Sequence, residues 1–459
     1  MMNGVDFLEE SKQIRMGTKP MLPLILSMAL PAMMSMLVQA LYNIVDSYFV
    51  AKVSEDALTA VSLVFPVQNL LIAVAIGTGV GLNSLISRRL GEGRFEDARS
   101  AATHGLLLAI FNWLFFALIG LFLSRTFLSL FIDKAAVVEM GTQYMSIVCI
   151  ASLGLCMEGA IEKTLQGTGN MIYPMLSQLI GAVTNIILDP IFIFGLFGMP
   201  KMGVAGAAIA TVLGQTLAML FLFYVLARKE KVLKINLKGF QFHGGMVKEI
   251  YAVGFPSIIM QSIGSVMTMG MNAILIKFTE TAVAFFGVYF KLQSFVFMPV
   301  FGLNQGVMPV IGYNFGARKR KRVTSAVRVG CSIAVLIMAA GMVTFWAIPA
   351  ELLGIFNASP TMLQIGVPAL RTISLCFVPA ALGIMFSTAF QALGHGFNSL
   401  LISILRQLVV LLPAAFLLAD IGLDAVWFSF PLAECASFAA SIYLYWKLYR
   451  EVIRPLPEA

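Results

Sequence analysis

The sequence predicts an all-α polytopic membrane protein, in which twelve transmembrane helices form two six-helix bundles related by a parallel repeat. Of the 459 residues, 59% are hydrophobic and 12% are charged, whereas soluble domains carry about 25% charged residues. Twelve apolar runs are long enough to cross a bilayer, which requires about 20 residues. Because lipid offers no hydrogen-bond partners, these runs are expected to be helices that satisfy their own backbone groups.

The apolar runs follow one another with short polar connections, except near the middle of the chain. They lie at residues 21–50, 57–87, 101–123, 137–165, 171–197, 203–227, 249–277, 283–312, 326–347, 360–390, 397–419 and 424–448. The longest polar linker follows the sixth run. We therefore divide the chain into an N-terminal segment 1–20, an N-lobe 21–227, a linker 228–248, a C-lobe 249–448 and a tail 449–459.

Basic residues are concentrated on one predicted side of the membrane. The two termini, the loops at 88–100, 228–248 and 313–328, and Lys447 at the end of the twelfth run together account for 22 of the 31 Lys and Arg residues, and the opposite loops hold five. Because positive loops stay in the cytoplasm, we expect both termini to be cytoplasmic in a bacterial inner membrane. The net charge of +8 has this explanation and does not indicate a nucleic acid partner.

A repeat relates the two halves at a single offset of 225 residues. The offset superimposes residues from the first run of each half to the fourth: Pro31 on Pro256, Gln68 on Gln293, Gly77 on Gly302, Gly81 on Gly306, Gly91 on Gly316, Gln166 on Gln391 and Gly169 on Gly394. Each half has an even number of runs, so both enter the membrane in the same direction. The repeat is therefore parallel, with a pseudo-two-fold axis along the membrane normal.

Polar residues interrupt the first apolar run. Gln39, Asn43 and Asp46 are three or four positions apart and share one helical face, with Tyr42 beside them. A carboxylate at the bilayer centre costs about 2.5–3.5 kcal/mol on insertion scales. Asp46 is therefore either bonded to neighbouring helices or a binding group for a transported cation or proton. Pro31 removes one backbone hydrogen bond in the same run and is a candidate hinge.

Acids recur in the first half where the second half has none. At the 225-residue offset, Asp46 aligns with Met271, Glu158 with Gly383, Glu162 with Ser387 and Asp189 with Ala414. The architecture shared by the halves therefore does not require these acids. Asp46 lies in the polar stripe of the first run. The other three acids lie in polar stripes of the fourth and fifth runs with Gln166, Gln178 and Asn185, and the sixth run carries Thr211 and Gln215. Turning these stripes inward predicts a polar pocket in the N-lobe.

The second half carries basic residues within its runs, at Lys291, Arg371 and Arg406. Such side chains often pair locally or extend to the membrane surface, and Glu434 in the twelfth run is an available partner. Alternatively, they line a cavity for phosphate groups, as a flippase for lipid-linked or oligosaccharide substrates would require.

Catalytic and metal-binding motifs are absent from the sequence. The five cysteines form no CxxC pair, the three histidines are dispersed, and no Walker A, HExxH or GxSxG motif occurs. We therefore expect a protein that is not an enzyme and that uses no cofactor.

Four stretches resemble the multidrug and toxic compound extrusion (MATE) family: ALPAMMSMLVQALYNIVDSYFVAKV, LQGTGN and TNIILDPIFIFG in the first half, and PVFGLNQGVMPVIGYNFGARKRKR in the second. The resemblance covers nearly the whole chain. The second half is most similar to the MepA-type branch, and the first-half acids are similar to those of the DinF branch. This resemblance implies a V-shaped fold of two lobes, and export of amphipathic, often cationic aromatic compounds driven by inward H⁺ or Na⁺.

The resemblance also implies roles for individual residues. Asp46, Asn185 and Asp189 would bind the coupling ion, including Na⁺, and Glu162 falls near an acidic position of MepA-like members. The substrate-binding set would comprise Gln39 and Tyr42, which match polar cavity positions, and the further stripe residues Asn43, Glu158, Gln178, Thr211 and Gln215. The seventh and tenth spans lack the acids of NorM-like members, so a second-lobe cation site of that kind is not expected.

In the expected mechanism, a coupling ion and a cationic substrate compete for one negative pocket around Asp46 and Asp189. The expected partners are small amphipathic cations and the lipid bilayer, and we expect the chain to act as a monomer. Three alternatives are a flippase, a major facilitator architecture and a membrane-embedded enzyme. The MATE-like segments count against the second, and the dispersed His and Cys residues count against the third.

Overall fold

The computed structural model describes residues 15–230, 233 and 240–458. Within these residues, ten helices are long and apolar enough to cross a membrane, and two further crossings are each made by a pair of helices with a bend between them. No strand occurs in this part of the chain. The predicted fold class, twelve helical spans without a sheet, is confirmed.

The first half contributes six spans, which we number α1 to α6. They are α1 (Met21–Ala51), α2 (Glu55–Gly91), α3 (Phe95–Phe122), α4 (Ala135–Ile150 with Leu153–Gly167), α5 (Ile172–Phe194) and α6 (Val204–Arg228). A short helix, Ser124–Ser129, leads from α3 towards α4. The two segments of α4 meet at an angle of 42°. The chain remains helical through Pro31 in α1.

The second half contributes α7 to α12. They are α7 (Gly244–Leu275), α8 (Glu280–Gly316), α9 (Arg320–Ala347), α10 (Pro360–Ser374 with Phe377–Ala392), α11 (Gly396–Ile404, a π-helical segment Leu405–Leu411, and Leu412–Leu418) and α12 (Leu423–Val426 with Ser429–Leu448). The segments of α10 meet at 47°, so the fourth span of each half is broken in the same way.

The helix boundaries repeat between the halves. The spans α2 and α8 start and end 225 residues apart, and so do α3 and α9. The turn after each fourth span has a glycine in the left-handed region, Gly169 with φ of 84° and Gly394 with φ of 86°. Because only glycine adopts this conformation without steric cost, the matching glycines in the sequence reflect matching turns.

Helices of the two halves come into close contact on the side of the membrane where the described ends of the chain lie. We call this the terminal side. A Cβ added to Gly91 at the end of α2 would overlap the carbonyl oxygen of Tyr313, and a Cβ added to Gly316 at the end of α8 would overlap that of Arg88. Since Tyr313 and Arg88 are themselves 225 positions apart, the crossing obeys the pseudo-two-fold relation. Small residues allow such close helix contact in membranes.

The segment that leads into the first half is bound by the second half. Nη2 of Arg322 donates to the carbonyl oxygens of Met16 and Lys19, both at 2.9 Å, and Nδ2 of Asn314 donates to the Met16 oxygen at 3.0 Å. Met16 is 1% exposed. This segment therefore fastens the halves together on the terminal side.

The segment that leads into the second half is bound in turn by the first half. The backbone N–H of His243 donates to Nε2 of His104 on α3, at 2.9 Å. The ring of Phe240 packs on the His104 ring with centroids 4.8 Å apart. Each half thus holds the entry segment of the other.

Candidate transport site

A buried polar network lies at the end of α4 and contacts the second half. Oε2 of Glu162 accepts a hydrogen bond from Nε2 of Gln178 on α5, at 2.8 Å. Oε1 of Glu162 accepts from Nε2 of Gln166, one turn further along α4, also at 2.8 Å. The carboxylate is thus bonded through both oxygens to two of the glutamines that the sequence placed in the polar stripes.

Lys163 is the basic member of this network. Its Nζ lies 3.1 Å from Oε1 of Glu162, and it donates to Oε1 of Gln166 at 2.9 Å and to Oε1 of Gln305 on α8 at 2.8 Å. The side chains of Glu162 and Lys163 are each 8% exposed. Burial of both charges is tolerable because they are paired and hydrogen-bonded.

A second polar cluster joins α5 to α6. The amide of Asn185 satisfies its neighbours when Nδ2 donates to Oδ2 of Asp189 at 2.7 Å, while Oδ1 accepts from the N–H and the hydroxyl of Thr211, each at 3.1 Å. Asn185 and Asp189 are 2% and 0% exposed. The arrangement places a carboxylate, an amide and a hydroxyl together in the protein interior.

Glycines bring α5 and α6 close enough for this cluster to form. A Cβ added to Gly214 would lie 2.7 Å from the carbonyl oxygen of Gly181, which is one turn before Asn185. The absence of a side chain at Gly214 lets the backbones approach. The short side chains of Asn185 and Thr211 therefore meet directly.

The two clusters are distinct sites along the first half. Gln178 belongs to the Glu162 network and Asn185 to the Asp189 cluster, and seven residues of helix separate them by about 10 Å. The stripes of α4, α5 and α6 face one another as the sequence predicted. They form two hydrogen-bonded groups, whereas the sequence suggested a single pocket.

The remaining predicted site residues lie in the first half with varied exposure. Glu158 is 6% exposed and lies one turn before Glu162. Gln39, Tyr42 and Gln215 are partly buried. The side chains of Asn43 and Asp46 lie outside those that the structure describes, so the predicted ion site is seen only through Asn185 and Asp189. The backbone of Asp46 lies near the end of α1, which packs along α5.

Two of the three basic residues within the spans of the second half, Arg406 and Lys291, have local side-chain partners. Nη1 of Arg406 lies 3.5 Å from Oε1 of Glu434, so the pairing suggested by the sequence is found. Nζ of Lys291 lies 5.9 Å from the centroid of the Phe356 ring. The backbone carbonyl of Arg371 accepts from Nε1 of Trp346 at 3.1 Å. Arg406 and Lys291 thus have contacts within their own half.

Sequence reasoning missed Lys163 and Gln305. It treated Glu162 as an acid available to an external cation, whereas the structure gives this carboxylate a lysine from the adjacent position. The sequence did indicate Lys163 as a special residue, because it follows Glu162 directly within an apolar span and aligns with the uncharged Thr388 at the 225-residue offset. Gln305 carried no signal, since its contact with α4 depends on how the halves pack.

Metal ligation has little support from the described part of the chain. No group of three or more His, Cys, Asp or Glu residues that could hold a metal ion occurs there. The Asn185, Asp189 and Thr211 cluster offers oxygen atoms, the donor type that Na⁺ and protons both accept.

Two parallel helical bundles meet on one side of a membrane, and the first of them buries the hydrogen-bonded carboxylates of Glu162 and Asp189. This arrangement defines a polytopic transporter of the kind built from internal repeats. The chain belongs to the MatE family, whose model matches residues 31–191 and again residues 256–417. The two matches begin at Pro31 and Pro256, the prolines that the 225-residue offset superimposes.

Relatives and solved structures agree with this assignment. The chain is 28% identical to the multidrug export protein MepA of Staphylococcus haemolyticus, over 90% of this chain and 91% of that protein. The chain is 28% identical in sequence to a MATE protein whose crystal structure in complex with MaL6 is known. The two structures superimpose with a TM-score of 0.90, over 96% of this chain and 99% of the other. An outward-facing multidrug resistance MATE transporter is 28% identical, with a TM-score of 0.88 over 94% of this chain and 96% of its own.

Proposed function

We propose that this chain is a secondary active antiporter that exports amphipathic, often cationic aromatic compounds in exchange for inward H⁺ or Na⁺. The observation that carries the proposal is the buried cluster of Asn185, Asp189 and Thr211. The helices α5 and α11 start and end 224 residues apart, so Asn185 and Asp189 correspond to the apolar residues Val409 and Pro413, and the shared fold does not need their polarity. A buried carboxylate that the architecture does not require is a candidate for function.

The coupling site that we propose consists of Asp189 and Asn185 on α5 and Asp46 on α1. Two carboxylates in one interior site repel each other, and a bound proton, Na⁺ or cationic substrate relieves that repulsion. Ion and substrate would then compete. Each ligand shifts the balance between two conformations by the difference in its affinity for them, and this competition is sufficient for exchange.

The contacts between the halves support a conformation that is closed on the terminal side. In the described part of the chain, hydrogen bonds between the halves run from Asn69–Ser265 near the middle of α2 to Ser84–Gln391 and Arg89–Glu249 towards its end. The basic loops at 88–100 and 313–328 lie on this side, where Gly91 contacts Tyr313 and Gly316 contacts Arg88. We therefore propose that both termini are cytoplasmic and that the described state is open to the outside. We also propose that the chain is a monomer in a bacterial inner membrane.

The substrate class follows from the acids that remain available. Glu162 holds Lys163, so the proposed substrate contacts are Glu158 with Gln39, Tyr42, Asn43 and Gln215. A flippase would instead need free cations for phosphate groups. Arg406 is paired with Glu434, which favours export of cations over transport of lipid phosphates.

The test is transport by purified protein in lipid vesicles, with an imposed gradient of pH or of Na⁺ and a fluorescent cationic dye as substrate. We expect Asp46→Asn and Asp189→Asn each to abolish gradient-driven dye movement, because neither amide can release a proton or neutralise a cation. The matched control is Asp133→Asn, which changes an exposed carboxylate. Full gradient-driven transport by both interior variants would refute the proposed mechanism.

A further inference from the structure

The three ammonium hydrogens of Lys163 all have an oxygen partner. The acceptors are Oε1 of Glu162 at 3.1 Å, Oε1 of Gln166 at 2.9 Å and Oε1 of Gln305 at 2.8 Å. An ammonium carries three donors and no acceptor, so this cage is complete. The three acceptors form a binding site for a primary ammonium ion, and the ammonium group of Lys163 occupies it.

The cage is also a bridge between the halves. Glu162 and Gln166 belong to α4, whereas Gln305 belongs to α8 of the second half. Oε1 of Gln305 also accepts from Nε2 of Gln166 at 2.9 Å, and Nε2 of Gln305 lies 3.4 Å from Sδ of Met36 on α1. The same ammonium therefore contacts groups that can only stay together while the halves stay together.

Space for the lysine stem comes from a missing side chain on α2. A Cβ added to Gly79 would lie 2.5 Å from Cγ of Lys163. The second half has no equivalent cage, because the residues at the 225-residue offset from Glu162, Lys163 and Gln305 are Ser387, Thr388 and Val80. The site is therefore a specific feature of the first half and not a requirement of the repeat.

We propose that Lys163 is a tethered cation that fills an ammonium site between the halves and stabilises the conformation closed on the terminal side. Alternating access separates the contacts on the closed side as one bundle rocks against the other. The bonds from Lys163 to Gln305 must then break. The stability part of this inference does not depend on the proposed function, and only the link to rocking depends on it.

The experiment removes the tether and offers a free ammonium instead. Lys163→Ala removes the three methylene groups and the ammonium beyond Cβ, so ethyl- and n-propylammonium match the vacated space. We expect the variant to melt at a lower temperature than the parent protein in detergent. We expect these two ions to restore most of the loss, at constant ionic strength, because they supply charge and N–H donors together.

Two further ions and a control variant make the thermal test selective. Tetramethylammonium has charge without N–H donors, and n-propanol has similar size without charge, so neither should restore stability. Lys291→Ala changes an exposed lysine and should show no ammonium dependence. A melting temperature of Lys163→Ala equal to the parent's, or a loss that all these compounds restore equally, would overturn the proposal.

A second measurement follows the contact between the halves directly. Ser84 is 0% exposed and its hydroxyl donates to the Gln391 carbonyl across the halves at 2.6 Å. With the five native cysteines replaced, Ser84→Cys reports opening through its rate of reaction with a maleimide. We expect Lys163→Ala to raise this rate about tenfold, equivalent to about 1.4 kcal/mol, and n-propylammonium to lower it again.

Two variants keep the inference testable if Lys163→Ala fails to fold. Lys163→Met retains the apolar stem beside Gly79, and Gln305→Leu removes the amide of the second half that accepts from Lys163 and Gln166. Both are expected to increase labelling at position 84. Added n-propylammonium should not reverse either effect, because the methionine side chain in one variant and Lys163 itself in the other still fill the cage. Unchanged labelling in both variants would contradict the proposed bridge.

Discussion

Arg406 and Glu434 show how a single side chain can be read in two ways from sequence. In isolation, an arginine within an apolar span is compatible with a cavity for anions. Its Nη1 lies 3.5 Å from the carboxylate of Glu434, with 31% and 8% of the two side chains exposed. Arg406 therefore compensates the charge of the buried Glu434, and we expect the pair to stabilise the folded protein.

The corresponding prediction is that Arg406→Met lowers the free energy of unfolding by about 3–5 kcal/mol, because one charge is left buried without its partner. Replacing both residues, as Arg406→Met with Glu434→Leu, is expected to recover most of that loss. Denaturation of the detergent-solubilised protein measures both values, with exposed Lys291→Met as the control. Equal losses in the single and double variants would contradict a stabilising pair.

Individual residues also mark what the sequence could reveal about the site. Asn185, Asp189 and Thr211 were predicted from helical spacing, because residues on facing stripes of neighbouring spans meet wherever the helices pack. The division into two clusters was not predictable, since it depends on which turn of α4 lies beside which turn of α5. Lys163 was predictable from its position and was overlooked, whereas Gln305 depends on packing between distant segments.

Among the elements, α2 and α8 determine how the halves meet. Each carries glycines at its crossing with the other half, and Gly91 and Gly316 allow backbone contact at the terminal side. The sequence identified these glycines as matching positions of the repeat without indicating what they contact. Spans, order and the repeat could be predicted because bilayer thickness fixes helix length. The crossing could not, because it is set by side-chain volume between segments about 225 residues apart.

We therefore predict that Gly91→Ala and Gly316→Ala each destabilise the protein by about 1–3 kcal/mol, the usual cost of overpacking. The added methyl group would overlap backbone atoms that cannot move aside like a side chain. The matched control is Gly287→Ala in α8, where nothing lies within 4 Å of the added Cβ. That control should be neutral or stabilising by about 0.5–1 kcal/mol, as judged by melting temperature. Similar losses in all three variants would argue against a special crossing.

At the scale of the whole molecule, each half binds the segment of chain that leads into the other half. Residues 15–19 are held by Arg322 and Asn314 of the second half, and residues 240–243 are held by His104 of the first. Opening on the terminal side would have to release or carry along both segments. Under the proposed exchange mechanism, releasing these segments would add to the free energy needed to open this side.

The prediction at this scale concerns the first of these segments. Arg322→Ala should expose the bond after Arg15 to trypsin, because it removes the donor to the Met16 and Lys19 carbonyls. Mass spectrometry of short digests measures the cleavage rate, which is expected to rise about tenfold for the loss of about 1.4 kcal/mol. Arg328→Ala, at an exposed position of the same helix, should leave the rate unchanged. A rate unaffected by Arg322→Ala would show that other contacts hold the segment.

The glycine crossing has a consequence for the origin of the molecule. Gly91 meets Tyr313 and Ala317, while Gly316 meets Arg88 and Glu92, so each half presents the same patch to its counterpart. A surface that is complementary to itself is the defining property of isologous association. An ancestral polypeptide half as long, inserted in a single orientation, would already have possessed the contact needed to pair with a second copy. Joining two such subunits would give the repeat seen here, in which Glu162, Lys163 and Asp189 of the first half have uncharged counterparts in the second.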